Sequence, residues 1–213
     1  MSYALSKPEI AELHELLAAG FYEDRLYEVA FPNQNTRMAV MLQFFRLYIK
    51  AIAPYCHMYA DSMAVHSILI AYDSRLWHAA SYIWSMLRLN AGLLSLLFRF
   101  KSFEDAFHAL RCYGMFTSAW VKDFKMRQYY HLDLLCTCQD SRRMGYARKL
   151  VEELIVRADE EHMDITLETH ELSNVEYYER FGFALVKTIT HDGFKISQYC
   201  MLRRCREETA NDK

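Results

Sequence analysis

The chain has 213 residues, 53% of them hydrophobic and 24% charged, with six glycines and three prolines. That balance suits one globular domain with a substantial core and excludes a disordered or collagen-like chain. A formal net charge of −2 gives no electrostatic case for nucleic acid or an anionic membrane surface.

Met1 to Glu12 holds no charged-then-apolar leader pattern, so the cytoplasm is the expected location. Ser6, Pro8 and Glu9 mark a helix start, with Ser6 as cap and Glu9 closing a capping box. That helix runs through Ile10, Leu13, Leu16 and Leu17 toward Gly20. A second helix is expected from Asn35 to about Ala53, where Met38, Met41, Leu42, Phe45, Tyr48 and Ile49 recur at helical spacing and Pro54 ends it. Two strands follow, Tyr55 to Ala60 and Ala64 to Tyr72, joined by a short polar turn around Asp61-Ser62. From Leu76 to about Lys125 the pattern is helical and rich in large apolar residues, with a break at Arg99 to Ser102. Its most apolar piece, Met86 to Phe98, carries Arg88 and Asn90 and is too short to span a bilayer.

The final third differs in character. Tyr130 to Thr137 reads as a strand, with His131, Asp133, Leu135 and Thr137 on one side and Leu132, Leu134 and Cys136 on the other. A polar turn, Gln139 to Met144, leads into a helix from Gly145 to Glu160 whose apolar stripe includes Leu150, Val151, Leu154 and Ala158. Next come a strand from Ile165 to Thr169 and a short helix starting at Ser173, where Ser173 and Glu176 form a second capping box and Gly182 is the stop. Two last strands, about Phe183 to Thr190 and Lys195 to Arg203, flank the His191-Asp192-Gly193 turn. Residues 206–213 form a polar, loose tail. The six cysteines are irregularly spaced. Strand alternation places the sulfurs of Cys136 and Cys138 on one face without the second ligand pair that structural zinc needs, so buried thiols and no metal are expected.

One turn carries chemistry. A strand, a polar turn and a helix opening at Arg142-Arg143-Met144-Gly145-Tyr146-Ala147 form a physical recipe for holding a diphosphate. Free backbone N–H groups and the positive helix end point at the anion, and Gly145 allows close approach. Arg142, Arg143 and Arg148 add positive charge. On these residues alone, an ordinary helix cap fits equally well.

The run from Leu135-Cys136-Thr137 to Ala147 resembles motif A of the GNAT acetyltransferases: a strand ending Leu-x-Val, a spacer, then Gln/Arg-x-x-Gly-x-Gly/Ala at a helix head. Arg142, Gly145 and Ala147 fall on its defining positions; Gln139 stands where Pro is usual, and Thr137 where Val is. Leu167 to Phe183 resembles motif B in the form found in small-molecule acetyltransferases of the puromycin-resistance type, with Asn174, Tyr178, Gly182 and Phe183 matching. The resemblance covers about Tyr130 to Tyr199. It implies an α/β (α+β) GNAT fold, a central mixed twisted β-sheet flanked by helices. One domain would fill residues 1–205, with a helical insertion at about 75–126 between the third and fourth strands and an acetyl-CoA-binding core at about 130–200. A GNAT domain normally opens with a strand, and only Met1 to Leu5 precede the Ser6 cap, so that strand is short or missing.

The resemblance further implies an acetyl-CoA-dependent N-acetyltransferase acting on a primary amine by direct attack in a ternary complex. Leu135, Cys136 and Thr137 would bind the pantetheine arm as another strand, and Arg142, Arg143, Met144, Gly145, Tyr146, Ala147 and Arg148 would hold the pyrophosphate. Asn174 would contact the arm, and Tyr178 would stand beside the sulfur as general acid, the alternative being a ring packed on Phe181 or Phe183. In family members the base sits two or four positions before the strand leucine, which indicates His131 and Asp133; His131 has the better reference pKa. A structural His–Asp pair, water, or Glu168 stays open. The apolar insert and the near-neutral charge favour a small amine over a protein tail. The alternatives are a protein or peptide acetyltransferase, a non-catalytic acyl-CoA-binding module, or a helical interaction protein docking through Leu76 to Lys125. The expected partners are acetyl-CoA and the amine, with no nucleic acid and no membrane, and a homodimer through the insert stays open.

Overall fold

The computed structural model describes residues 2–205; the expected tail beyond Cys205 lies outside them. Seven strands, β1 (Tyr3–Ala4), β2 (Cys56–Ala60), β3 (Ser67–Asp73), β4 (Tyr129–Thr137), β5 (Asp164–Thr169), β6 (Ala184–His191) and β7 (Ile196–Arg203), form one mixed sheet. Its order is β1-β2-β3-β4-β5-β7-β6, and among the described residues only the central β4–β5 pair is parallel. The opening strand is therefore present but two residues long.

Helices cover both faces. On one side lie α1 (Lys7–Gly20), α2 (Arg25–Ala30) and α3 (Gln34–Ile52), whose Leu17, Tyr27, Met41 and Phe45 share a core with Ile68, Ile70, Leu134 and Cys136 of the sheet. On the other lie α6 (Tyr146–Glu160) and α7 (Leu172–Glu179), which pack Leu150, Val151, Leu154 and Val175 on Leu69, Tyr130, Leu132, Ile165 and Met201. Between β3 and β4 come α4 (Ala79–Leu93), a 3-10 stretch Leu94–Arg99, α5 (Phe103–Cys112) and two further 3-10 turns, Tyr113–Phe116 and Ala119–Asp123. No helix among the described residues is long and apolar enough to cross a membrane.

Local chemistry accounts for the boundaries. At α1 the Glu9 carboxylate accepts the Ser6 N–H at 2.8 Å, as the capping box requires. α3 starts at Gln34, one residue ahead of the expected Asn35, with Asn33 as its cap, whose side chain accepts the Asn35 N–H at 3.2 Å. The Asp61 carboxylate accepts the Ser67 N–H at 2.7 Å and meets His66 Nδ1 at 2.9 Å. That wider loop delays β3 from the expected Ala64 to Ser67. The short α2 has too few turns to show a periodic stripe, although Asp24 caps it by accepting the Leu26 N–H at 3.0 Å. The expected cap at Ser173 is not used: α7 begins at Leu172, because Thr169 Oγ1 takes both the Glu171 N–H at 3.3 Å and the Asn174 side-chain amide at 3.0 Å. Gly182, at φ +83, ends that helix as read from sequence.

One irregularity sets the site. The adjacent β3 residues Ile70 and Ala71 pair with Leu134 and Leu132, leaving Asp133 as an extra residue on β4. Such a β-bulge shifts the alternation of side chains by one. Tyr130 and Leu132 thus join the α6–α7 core, yet Leu134 and Cys136 join the α1–α3 core and Leu135 turns to the α6–α7 side. The expectation that His131, Asp133 and Leu135 share one face is overturned. Regular alternation holds only up to the bulge.

Candidate active site

β4 and β5 pair only from Tyr129–Asp164 to Leu132–Leu167. From Asp133 onward β4 bends away and its inner edge faces no β5 partner. The two strands part, and a cleft opens between them. Asp133, Leu134 and Leu135 line it from β4, and Glu168, Thr169 and His170 from the end of β5. Asn174 and Tyr178 of α7, Phe21, Asp24, Leu26 and Tyr27 of the α1–α2 region, Phe44 and Tyr48 of α3, and Met115, Phe116 and Ser118 of the insert close it.

Tyr178 is buried, its ring edge-on to Phe183 at 5.7 Å and to Tyr177 at 5.2 Å. Burial pushes its phenol pKa far above the usual value, so the proton stays on oxygen at neutral pH. Tyr177 packs on Phe181 at 5.1 Å. Asn174 is half-buried in the cleft.

Three titratable groups stand where the strands part. Asp133 accepts hydrogen bonds from the Tyr48 hydroxyl at 2.8 and 3.0 Å, and burial raises its carboxyl to about 6 although His131 and Tyr48 favour the charge. Glu168 accepts from the Ser118 hydroxyl and from Trp120 Nε1–H at 2.8 Å, and lies 3.4 Å from His131 Nε2. Burial works against its charge, yet His131 and the hydrogen bonds hold it below the ordinary carboxylate range. His131 is almost fully buried, with Nδ1 2.8 Å from Thr166 Oγ1 and Nε2 3.2 Å from Ser118 Oγ. Desolvation opposes its protonation, but the Glu168 carboxylate outweighs this and raises the pKa. The cleft is lined by Asp133 and Glu168; His131 stands behind Glu168 rather than on the surface. Asp24, also at the cleft, is raised by burial to about 6, and burial lowers His170 to about 4.

The unpaired β4 edge leads, past Thr137 and the 3-10 turn Gln139–Ser141, to Arg142–Arg148. Here Arg143 and Gly145 take left-handed backbone (φ +66 and +86), and nothing lies within 4 Å of where a Gly145 Cβ would stand. Gly145 caps α6, whose first-turn N–H groups lack carbonyl partners within the helix. Arg142, Arg143, Met144 and Arg148 are exposed and Ala147 is half-buried. Arg142 donates to the Gly20 carbonyl at 3.0 Å, Arg148 pairs with Glu152 at 2.8 Å, and the Tyr146 ring stacks on His66 at 4.8 Å. Open space beside a left-handed glycine, an electropositive helix start and three guanidinium groups fit a diphosphate. The Cys136 thiol points into the core near Leu16 and is raised by burial to about 12, so only its backbone serves the edge.

The fold thus brings Asp133, Leu135, Asn174 and Tyr178 to one cleft, with the Arg142–Arg148 turn at the far end of the β4 edge. Sequence reading missed Asp24, Phe116 and Ser118 as cleft residues. Tyr48 stood in plain view on the apolar stripe of α3, where its hydroxyl was the one discordant group.

Residues 118–201 match the family model of the acetyltransferase (GNAT) domain. No curated protein matches the chain by sequence. Among solved structures, a histone acetyltransferase HPA2 and related acetyltransferase from Corynebacterium glutamicum is similar at a TM-score of 0.68 and 15% identity, covering 98% of each chain. The arylalkylamine N-acetyltransferase 2 of Aedes aegypti reaches 0.58 at 12% identity over 97% of this chain and 99% of that one. The Escherichia coli ribosomal-protein alanine N-acetyltransferase reaches 0.53 at 11% over 100% and 98%. At these identities the structures establish the fold, which is the GNAT fold.

Proposed function

We propose that the chain, whose residues 118–201 match the acetyltransferase (GNAT) domain, moves the acetyl group of acetyl-CoA to the primary amine of a small molecule, by direct attack in a ternary complex. The observation that carries this is the continuous path from the glycine turn, along the unpaired β4 edge, to a cleft that brings together the Tyr178 phenol and the Asp133 and Glu168 carboxylates.

Acetyl-CoA supplies an activated thioester. The Arg142–Arg148 turn receives its pyrophosphate, the Leu135–Thr137 backbone pairs with the pantetheine amides, and Asn174 steadies the arm. Asp133 takes the proton that the amine must lose, since a carboxyl at about 6 is a base at neutral pH. The nitrogen then bonds to the carbonyl carbon, the carbon–sulfur bond breaks, and the sulfur leaves with the Tyr178 proton. His131 serves as a positioning residue that keeps Glu168 charged and fixed. The insert residues Met115, Phe116 and Ser118, which close the cleft, favour a small acceptor over an extended protein tail.

Acetyl-CoA at about 100 times its dissociation constant should stabilise the protein by about 2.7 kcal/mol. Gly145→Asp should remove that shift by placing a carboxylate in the turn. Tyr178→Phe should keep the shift and lower kcat by about a hundredfold. A parent protein that shows no shift with acetyl-CoA sinks the assignment.

A further inference from the structure

We propose that the acceptor is an arylalkylamine, a primary amine with an aromatic ring a short chain away, which enters as the ammonium with Asp133 as its charge partner and the wall of rings from α2, α3 and the insert as its seat. This rests on the transferase reading above and adds the substrate class to it.

Two observations carry the inference. The first is the imbalance between Asp133 and Glu168, two of the three carboxylates at the cleft. Glu168 is already matched by His131, Ser118 and Trp120. Asp133 accepts from the neutral Tyr48 hydroxyl, and the His131 that favours its charge is paired directly with Glu168 instead. A carboxylate partly withdrawn from water with a neutral donor is poorly solvated in the free protein, and an ammonium that arrives in the cleft relieves that deficit. Asp24, the other carboxylate at the cleft, is committed to the start of α2 through the Leu26 N–H.

The second is the composition of the wall. Phe44 and Tyr48 stack at 5.7 Å, Phe116 lies 5.5 Å from Phe44 and 5.8 Å from Tyr27, and all four residues line the cleft that holds Asp133. An added ring finds faces and edges there at the separation of about 4.5–7 Å that aromatic pairs adopt, and the ammonium gains from the ring faces beside it. A peptide backbone or a polyhydroxylated amine brings hydrogen-bonding groups that this wall would leave unpaired.

The test compares kcat/KM for 2-phenylethylamine, n-butylamine, a lysine-containing peptide and an aminoglycoside at saturating acetyl-CoA, with the acetyl-CoA thermal shift measured separately. Phenylethylamine should exceed each of the others by about tenfold or more. Phe116→Ala should bring the ratio over butylamine below about threefold, and Asp133→Asn should raise the amine KM while the acetyl-CoA shift persists. Phe21→Ala, at a partly exposed ring of the same cleft, replaces Phe116→Ala if that variant does not fold. Equal or better turnover of the aminoglycoside, or a ratio indifferent to the ring variants, overturns the aryl assignment and leaves the small-molecule transferase reading standing, whereas equal or better turnover of the peptide overturns both the aryl and the small-molecule assignments and leaves acetyl transfer alone. An acetyl-CoA shift without turnover of any amine, or no shift at all, overturns both.

Discussion

At the scale of single residues, Asp133 sets a stability cost against a function. Its pKa is raised in the folded state to about 6. The stability contributed by its neutral form is therefore full below the unfolded value near 4 and is lost as pH rises through 6. Above that, the charged group burdens the free protein. Asp133→Asn retains a partner for Tyr48 and should stabilise the free protein at pH 7.5 by about 1–3 kcal/mol, with a much smaller gain at pH 4, as read by urea unfolding at both values. The same variant should flatten the rising limb of kcat/KM near pH 6. A variant no more stable than the parent at pH 7.5 would show that water reaches Asp133 freely.

At the scale of elements, the junction of α1 with β4 is tight. A Cβ at Gly20 would stand 2.1 Å from Cys136 Sγ, and the last carbonyl of that helix also receives Arg142 from the phosphate turn. Gly20→Ala should cost about 1–3 kcal/mol by overpacking, and adding Cys136→Ala should recover most of it, a coupling that thermal unfolding of both variants measures. Additive losses would mean that α1 shifts to absorb the methyl group. The bulge at Asp133 belongs to this scale as well. A single extra residue swaps the faces of Leu134 and Leu135 and bends β4 off β5, which is how a continuous sheet acquires a cleft at its centre.

At the scale of the whole molecule, the insert is part of the core rather than a detachable roof. Leu96, Cys112 and Met115 are buried with α1–α3, while Ile83, Trp84, Phe98, Phe103 and Phe107 remain exposed. Its last turn reaches across to β5, where Trp120 donates to Glu168. Trp120→Phe should leave that carboxylate short of a donor, costing about 1–3 kcal/mol. It should also raise the Glu168 pKa, so the stability lost on acidification disappears at a higher pH than in the parent, as read from urea midpoints across the acidic range. An unchanged pH profile would show that Ser118 and His131 suffice to hold the charge.

The sequence by itself determined the local and the repetitive. The Ser6–Glu9 capping box, the stripe of α6, the left-handed stop at Gly182 and the glycine turn at Gly145 each depend on residues within a few positions of one another, so spacing alone made them legible. The two motifs around Gly145 and Asn174–Phe183 likewise pointed to the family because they are short contiguous runs. What only the tertiary structure decided depends on residues far apart in the chain. The bulge exists because β3 pairs two adjacent residues with a longer stretch of β4, and no feature of β4 alone reveals which residue is extra. The start of α7 moved because Thr169, at the end of β5, accepts the Glu171 N–H and the Asn174 side chain and so fixes the turn just ahead of Ser173. His131 stood apart from the cleft because Glu168, thirty-seven positions on by the numbering, came between, and Tyr48 turned from a member of an apolar stripe into the partner of the cleft carboxylate Asp133. Contacts of that kind are set by which faces the sheet and helices present to each other, a choice made by packing and not by neighbouring residues.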